Sequence, residues 1–217
     1  MKLSSIKLKL EQLPRTSFGV SVPHLRKLAQ HVAKDNYREF LDSDDYSSFE
    51  LKLLHAFVIG YAQDNIDILL AYLQKFIPYV DDWAINDALC QNFKIARKYR
   101  QKVWNFILMY QSSDQEFISR IISVLLLSHF LEDEYIDDVI KVLDRLNTDK
   151  YYAQMGVAWA VATIMGKYPA KCLEYLQSAE CHLDIKTYNK SLQKIRESYK
   201  VSAEIKKLSK TLTKIPH

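Results

Sequence analysis

Apolar residues recur at the i, i+3, i+4, i+7 spacing of a helix through almost the whole chain. The clearest examples are LKLLHAFVIGYA, FISRIISVLLLSHF and YYAQMGVAWAVATIM. This spacing lines up apolar side chains on one face of an α-helix. Only four glycines and five prolines occur in 217 residues, so turn-dense β-structure has few places to form. The pattern therefore predicts an all-α protein.

The helical pattern is broken at regular intervals by short polar segments. Units of similar pattern begin near Ser47, Asp82, Asp114, Asp149 and Asp184. Their spacing of roughly 32 to 35 residues is typical of a two-helix solenoid repeat. Such a helix pair buries its apolar face only by stacking on its neighbours, which generates a curved superhelix with a concave surface. We therefore predict one α-solenoid domain covering residues 1–217.

The first 20 residues are the least clearly defined part of that domain. Residues 2–12 have a weak helical pattern, and Arg15 to Val20 is interpreted as a loop. Pro23 suits the first turn of a helix that runs to about Lys34, because the missing N–H of proline costs nothing there.

Composition narrows the class of protein and its location. No apolar run is long enough to span a membrane, and the first residues lack the apolar core of a signal peptide. Cys90, Cys172 and Cys181 show no metal-ligand spacing, which favours buried or free thiols in a reducing cytoplasm. The six histidines are scattered and no glycine-rich phosphate loop occurs, so we expect no metal and no cofactor.

Charge is distributed unevenly along the chain. The net charge is only +4, but the chain from residue 182 onward contains nine Lys and Arg residues and only three acids. Residues 94–102 (KIARKYRQK) carry five positive charges and no acid, whereas residues 131–149 carry seven acids and two bases. A run of charge is often only a solvated helix face. Two basic runs on either side of an acidic one nevertheless favour one positive and one negative face.

Four side chains combine in a way that packing alone does not require. Trp83 and Asp87 are four residues apart, so they lie on the same face of a helix, and Arg120 and Trp159 occupy similar places in later units. If the repeats stack, all four line one concave surface suited to a cationic group beside a phosphodiester. Each tryptophan taken alone is also explained by packing. Arg120 is harder to explain in this way, because a buried guanidinium needs water or a partner.

The segments DDWAINDALC, EFISRIISVLLLSHFLEDEYID, DKYYAQMGVAWAVATIM and TYNKSLQKIRESYK resemble the DNA alkylation repair family of HEAT-like-repeat DNA glycosylases. The resemblance extends from about residue 50 to the end of the chain. It implies a right-handed α-solenoid of HEAT-like repeats whose basic concave face grips duplex DNA. It also implies that the protein excises cationic N3- or N7-alkylated purines. We expect a cytoplasmic monomer that is associated with the nucleoid when it is bound to DNA.

The same resemblance implies roles for individual residues. Asp87 matches the catalytic aspartate, Trp83 and Trp159 the two tryptophans of the cleft, and Arg120 the arginine that contacts the DNA backbone. A carboxylate near C1′ of the sugar would stabilise the oxocarbenium ion that develops as the cationic base leaves. Further phosphate contacts are expected from seven cations: Lys94, Arg97, Lys98, Lys150, Lys186, Lys190 and Lys194.

The resemblance weakens toward the N-terminus. The residues MKLSSIKLKLEQLPRTSFG do not reproduce the N-terminal helical segment with which the family's glycosylases cover the lesion, so we expect a shorter variant without that helix. Three interpretations stay open: an alkylpurine DNA glycosylase, a non-catalytic binder of duplex or unusual DNA, and a protein–protein scaffold.

Overall fold

A computed structural model describes residues 3–16 and 19–214 of the chain. It is 70% helical, and thirteen α-helices occur in these residues. The prediction of an all-α helical repeat fold is therefore confirmed. None of the helices in this part of the chain combines the length and the apolar character needed to cross a bilayer.

The chain divides into two compact units, Met1–Val103 (unit 1) and Trp104–His217 (unit 2). The division falls within one helix, α7 (Arg100–Tyr110). The interpretation of residues 1–217 as one domain stays a prediction.

Unit 1 consists of helices and one small hairpin. Its elements are α1 (Leu3–Glu11), β1 (Arg15–Thr16), β2 (Gly19–Val20), α2 (Val22–Lys34), α3 (Tyr37–Leu41), α4 (Phe49–Tyr61), α5 (Ile66–Phe76) and α6 (Trp83–Asn92), with 3₁₀ turns at Ile77–Tyr79 and Lys94–Arg97. Unit 2 contains α8 (Glu116–His129), α9 (Ile136–Asp144), α10 (Tyr151–Lys167), α11 (Pro169–Gln177), α12 (Ile185–Glu197) and α13 (Ala203–Leu208).

The predicted repeat is visible in where the first helix of each pair begins. These helices start at residues 49, 83, 116, 151 and 185, each within two residues of the unit starts predicted from the sequence. In unit 1 the first helices α2, α4 and α6 pack in a row, and in unit 2 α8, α10 and α12 do the same. Each row stacks one repeat on the next, as the apolar pattern requires.

Polar side chains define several of these helix starts. Asp82 accepts a hydrogen bond from the backbone N–H of Ala84 at 2.7 Å, and Asp184 accepts one from that of Lys186 at 2.8 Å. Ser48 caps α4 through the N–H of Leu51. These contacts satisfy N–H groups that have no partner inside the helix, which is why the polar breaks predicted the boundaries well.

Glycine lets neighbouring first helices approach closely in both units. A Cβ on Gly60 of α4 would lie 2.8 Å from Cβ of Asn92 in α6. A Cβ on Gly156 of α10 would lie 3.3 Å from Cα and Cγ of Arg120 in α8. The rows that carry α6 and α10 are thus packed nearly backbone to backbone at these points.

The N-terminal segment differs from its prediction in one respect. Arg15 to Val20 is not a plain loop, because Arg15 pairs with Val20 and Thr16 with Gly19 in a short antiparallel hairpin. Gly19 adopts φ +102, a conformation open to glycine that helps to reverse the chain. Strands of two residues are too short to show an alternating pattern, so no sequence signal marks them. Met1, Lys2, Ser17 and Phe18 lie outside the described residues.

The other N-terminal expectations agree with the structure. Residues 3–11 are helical, α2 ends at Lys34, and Pro23 stands in its first turn. Lys7 of α1 forms an ion pair with Asp45, which ties α1 to the turn before α4. Cys90, Cys172 and Cys181 are buried thiols, as the sequence predicted.

Candidate functional site

Trp83 and Asp87 stand one turn apart at the start of α6. Trp83 is the first residue of the helix and is 51% exposed, whereas Asp87 is 9% exposed. Ile85 and Leu89 of the same helix are fully buried, and α6 packs on α4. The buried residues fix the rotation of the helix, so the Trp83 indole projects to solvent while the Asp87 carboxylate lies just beneath the surface.

Two polar contacts support this pair. Asp82 caps the helix immediately before Trp83, and the Asn86 amide donates a hydrogen bond to Asp87 Oδ1 at 3.1 Å. Asn86 is itself fully buried. A carboxylate held by a buried neighbouring amide keeps a fixed orientation, which a stabiliser of positive charge requires.

Arg120 lies in the middle of α8 and is 6% exposed. Its Nη1 donates a hydrogen bond to the backbone carbonyl oxygen of Tyr152 in α10, at 3.3 Å. Gly156, one turn further along α10, leaves room for the aliphatic part of the arginine. The charge thus reaches a partner on the neighbouring repeat, which explains how an apolar run accommodates a guanidinium.

Trp159 belongs to a partly exposed stripe along α10. The five members of this α10 stripe share one helix face and all are half-buried: Tyr152, Met155, Trp159, Thr163 and Gly166. Thr163 Oγ1 donates to the backbone oxygen of Trp159 at 2.8 Å. The tryptophan therefore presents only part of its ring to solvent, in contrast to Trp83.

One residue beside this site was not singled out from the sequence. Glu116, one turn before Arg120 on α8, accepts a hydrogen bond from the backbone N–H of Tyr152 at 2.6 Å. The side chains of Glu116 and Arg120 thus contact the N–H and the carbonyl of the same residue. Lys150, the residue directly before α10, makes no side-chain cap, so Glu116 supplies this function from the preceding repeat. In the sequence, the signal for this contact was the spacing of Glu116 and Arg120, an acid followed four residues later by an arginine.

The predicted phosphate-binding cations lie in both units. Lys94, Arg97 and Lys98 are exposed in and next to the 3₁₀ turn that follows α6, and the Lys98 ammonium lies 5.1 Å from the centre of the Tyr99 ring. In unit 2, Lys150 is exposed directly before α10. The first three cations therefore follow the helix that carries Trp83 and Asp87.

Helix α12 carries the remaining three cations at i, i+4 and i+8. Lys186 is exposed, whereas Lys190 and Lys194 are half-buried. Lys190 Nζ donates to Gln193 Oε1 at 2.9 Å, and Lys194 pairs with Glu197 at 3.1 Å. The spacing places the three ammonium groups along one side of the helix.

Several acidic side chains of residues 131–149 form ion pairs or hydrogen bonds with other residues of unit 2. Asp137 of α9 pairs with Lys171 of α11, and Asp133 accepts a hydrogen bond from the Tyr168 hydroxyl at 2.8 Å. Asp144 accepts from the Tyr175 hydroxyl at 2.6 Å and from His182 Nδ1 at 2.9 Å. Burial, together with the neighbouring Cys181 and Asp144, raises the pKa of Tyr175.

A cavity of about 760 Å³ lies between α9 and α11, and Asp144, Arg145 and Glu174 are among its lining residues. None of the site residues predicted from the sequence lines it. Within residues 3–16 and 19–214, no group of three or more His, Cys, Asp and Glu side chains is placed to hold a metal ion.

The four residues singled out in the sequence thus form two pairs. Trp83 and Asp87 share α6 in unit 1, whereas Arg120 and Trp159 lie on adjoining helices of unit 2. Their arrangement on a single concave surface stays a prediction. So do the catalytic and DNA-binding roles of the individual residues.

These features define an all-α repeat protein. One of its first helices, α6, carries an exposed tryptophan and a shielded carboxylate, and basic residues follow α6 and lie along the first helix α12. Residues 11–201 match the family model described as DNA alkylation repair enzyme, and the chain belongs to that family. The match begins well before residue 50, where the resemblance read from individual segments began. Family membership supports a role in DNA repair, with DNA as the substrate. No curated protein and no solved structure matches the chain.

Proposed function

We propose that this protein binds duplex DNA and hydrolyses the N-glycosidic bond of purines that carry a positive charge after alkylation at N3 or N7. The observation that carries the proposal is the pair on α6, an exposed Trp83 one turn before the shielded carboxylate of Asp87. It lies within the residues matched by the family of DNA alkylation repair enzymes.

The chemistry follows from the charge of the substrate. A cationic purine leaves without prior protonation, so the protein need only stabilise the positive charge that develops on the sugar and orient a water molecule. Asp87 supplies the negative charge for both purposes. The Trp83 indole offers a face that attracts cations, worth about 0.5 to 2 kcal/mol depending on how far water is excluded.

Unit 2 contributes binding of the DNA backbone. The guanidinium of Arg120 donates through Nη1 to Tyr152 O, and its planar fork suits phosphate oxygens. Trp159 adds an aromatic face, and Lys186, Lys190 and Lys194 supply positive charge that binds without reading sequence.

The test is release of base from duplex DNA that contains N7-methylguanine, measured for the wild type and for Asp87→Asn, with binding to the same duplex measured in parallel. We expect release to fall at least about 100-fold in the variant, the cost typical of losing one group that stabilises transition-state charge. Binding should persist, because the amide keeps the shape of the carboxylate. Wild-type release no faster than spontaneous depurination would exclude the glycosylase.

One observation favours a second candidate, a binder of duplex or unusual DNA that does not excise. Asp87 is 9% exposed and accepts a hydrogen bond from Asn86, which leaves little of the carboxylate open to a sugar. If this candidate is right, the wild type and Asp87→Asn both bind the duplex, and neither releases base.

A further inference from the structure

Tyr199 stands out among the aromatic side chains by its exposure. It follows α12 directly after Ser198, and it is 89% exposed. Its ring centre lies 5.9 Å from the Lys200 ammonium. Water surrounds most of this ring, so the ring is accessible to a ligand. An aromatic ring in this state contributes little to the stability of the fold, because it buries almost no apolar surface.

The residues that follow Tyr199 are strongly basic. Residues 199–210, the basic C-terminal segment, contain one acid, Glu204, and four lysines: Lys200, Lys206, Lys207 and Lys210. Buried Val201 and Ser209 anchor the segment to the rest of unit 2. Ser202 caps the short helix α13 by accepting from the N–H of Ile205 at 3.3 Å. The lysines therefore form a positively charged patch on ordered backbone, which attracts a polyanion.

The position of this segment relates it to Trp159. A Cβ on Gly166 would lie 3.3 Å from Lys200 Cβ and 3.5 Å from the Lys200 carbonyl oxygen, so the turn at Lys200 packs on the last turn of α10. Gly166 belongs to the α10 stripe, seven residues after Trp159. Seven residues are two helical turns, or about 10 Å along the axis. The basic C-terminal segment thus continues the α10 stripe beyond Trp159.

We propose that Tyr199 and the lysines of residues 199–210 form a binding site for unpaired nucleotides, in a single strand that continues from the bound duplex. A base inside a duplex already stacks on both faces, whereas an unpaired base can stack on an exposed ring. The lysines that follow Tyr199 take up the phosphates without selecting sequence. This inference rests on the proposed function, because it assumes DNA as the ligand, and it adds a preference for duplexes next to a single-stranded segment.

The test compares the affinity of the full chain for a blunt duplex with its affinity for the same duplex carrying a short oligothymidine extension. We expect the extension to tighten binding about tenfold, the effect of stacking a single base on an aromatic ring. Tyr199→Ser should abolish that gain and leave the affinity for the blunt duplex within about twofold of wild type, since the stacking energy belongs to the ring alone.

Two variants separate stacking from other effects. Tyr199→Phe keeps the ring and should keep the gain. Leu208→Ser removes a side chain that is 39% exposed in the same segment, without removing a ring, and should also keep the gain. Loss of the gain in Leu208→Ser as in Tyr199→Ser would overturn the assignment to the tyrosine ring.

The remaining outcomes distinguish this inference from the proposed function. Equal affinity of the wild type for blunt and extended duplexes overturns the inference and leaves duplex binding intact. Binding of the free oligothymidine strand that depends on Tyr199, without binding of the blunt duplex, supports the inference and contradicts duplex recognition. Binding to neither DNA overturns both. Tyr199-dependent binding to vesicles containing phosphatidylserine, with no gain from the extension, would assign the patch to a membrane surface and overturn the inference.

Discussion

His55 shows how a single residue can couple the stability of unit 1 to pH. The imidazole is fully buried, its Nδ1 donates to the carbonyl oxygen of Leu51 at 2.8 Å, and its ring lies 4.2 Å from that of Phe40 and 4.7 Å from that of Tyr46. Burial lowers the pKa of His55 to about 4, although Asp44 and Asp45 partly oppose the shift. The side chain is therefore neutral in the folded protein at neutral pH.

The pH dependence follows from the difference between the two states. The unfolded chain binds a proton at His55 near pH 6.5, whereas the folded chain does so only near pH 4. Stability is therefore lost as the pH falls through this window, and His55 should lower the free energy of unfolding by about 2 kcal/mol between pH 7 and pH 5. Urea denaturation at the two pH values, with His55→Phe as comparison, measures the effect. An unchanged pH dependence in the variant would contradict it.

Burial also separates residues that look alike in the sequence. Trp83 and Trp159 are both tryptophans on first helices, yet Trp83 is 51% exposed and Trp159 is half-buried within the α10 stripe. The difference arises from position in the helix. Trp83 is the first residue of α6, whereas Trp159 lies in the middle of α10, which packs between the first helices α8 and α12.

At the scale of helices, the close approach of α4 and α6 is set by Gly60. A Cβ there would meet Asn92 Cβ at 2.8 Å and the Leu89 carbonyl oxygen at 3.2 Å, and backbone atoms cannot rotate away as a side chain can. The helix that carries Trp83 and Asp87 thus keeps its place against α4 only while this position has no side chain.

Gly60→Ala is accordingly expected to destabilise the protein by about 1 to 3 kcal/mol, the usual cost of overpacking, despite the better helix propensity of alanine. Gly166→Ala is the matched control, because its added Cβ would meet no atom closer than 3.3 Å. Urea denaturation of both variants gives the comparison. A Gly60→Ala protein as stable as Gly166→Ala would show that α4 and α6 separate at no cost.

The order and the starts of the helices were predictable because their signals are local. Asp82 and Asp184 both precede apolar stripes and both cap the helices that follow. Near α8 and α10 the predicted starts are right to within two residues, yet neither Asp114 nor Asp149 is the capping residue. The residue before α10 is Lys150, and Glu116 of the preceding repeat contacts its first turn instead.

The candidate site was predictable only in part, for the same reason. Spacing alone put Trp83 and Asp87 on one face of a helix, since four residues are about one turn. One partner of Arg120 is the carbonyl of Tyr152, 32 residues further along the chain, and no periodic pattern points to it. Contacts between repeats depend on how the helices pack, and a backbone acceptor leaves no trace in residue identity.

For the molecule as a whole, the separation of charge is more specific than the sequence suggested. Two acids of α9 form ion pairs, Asp137 with Lys171 of α11 and Asp138 with Lys141 of α9 itself. Among the described residues, Lys186 and Lys190 of α12 form no ion pair, although Lys190 donates to Gln193. Two pairs of lysines in unit 2 thus carry the same charge. Lys141 and Lys171 each form an ion pair, whereas Lys186 and Lys190 do not among the described residues.

This contrast allows a test of where DNA binds that keeps the net charge equal. In duplex binding measured over a range of salt, Lys186→Gln with Lys190→Gln should reduce the slope of log K against log salt by about 1.8, or 0.9 for each phosphate that the variant no longer neutralises. Lys141→Gln with Lys171→Gln, on α9 and α11, removes the same charge and should leave the slope nearly unchanged. Equal reductions in both proteins would mean that the chain attracts DNA through its net charge alone. Because the two variants differ only in which helices are neutralised, a difference in slope locates the counterions that DNA displaces on the α12 side.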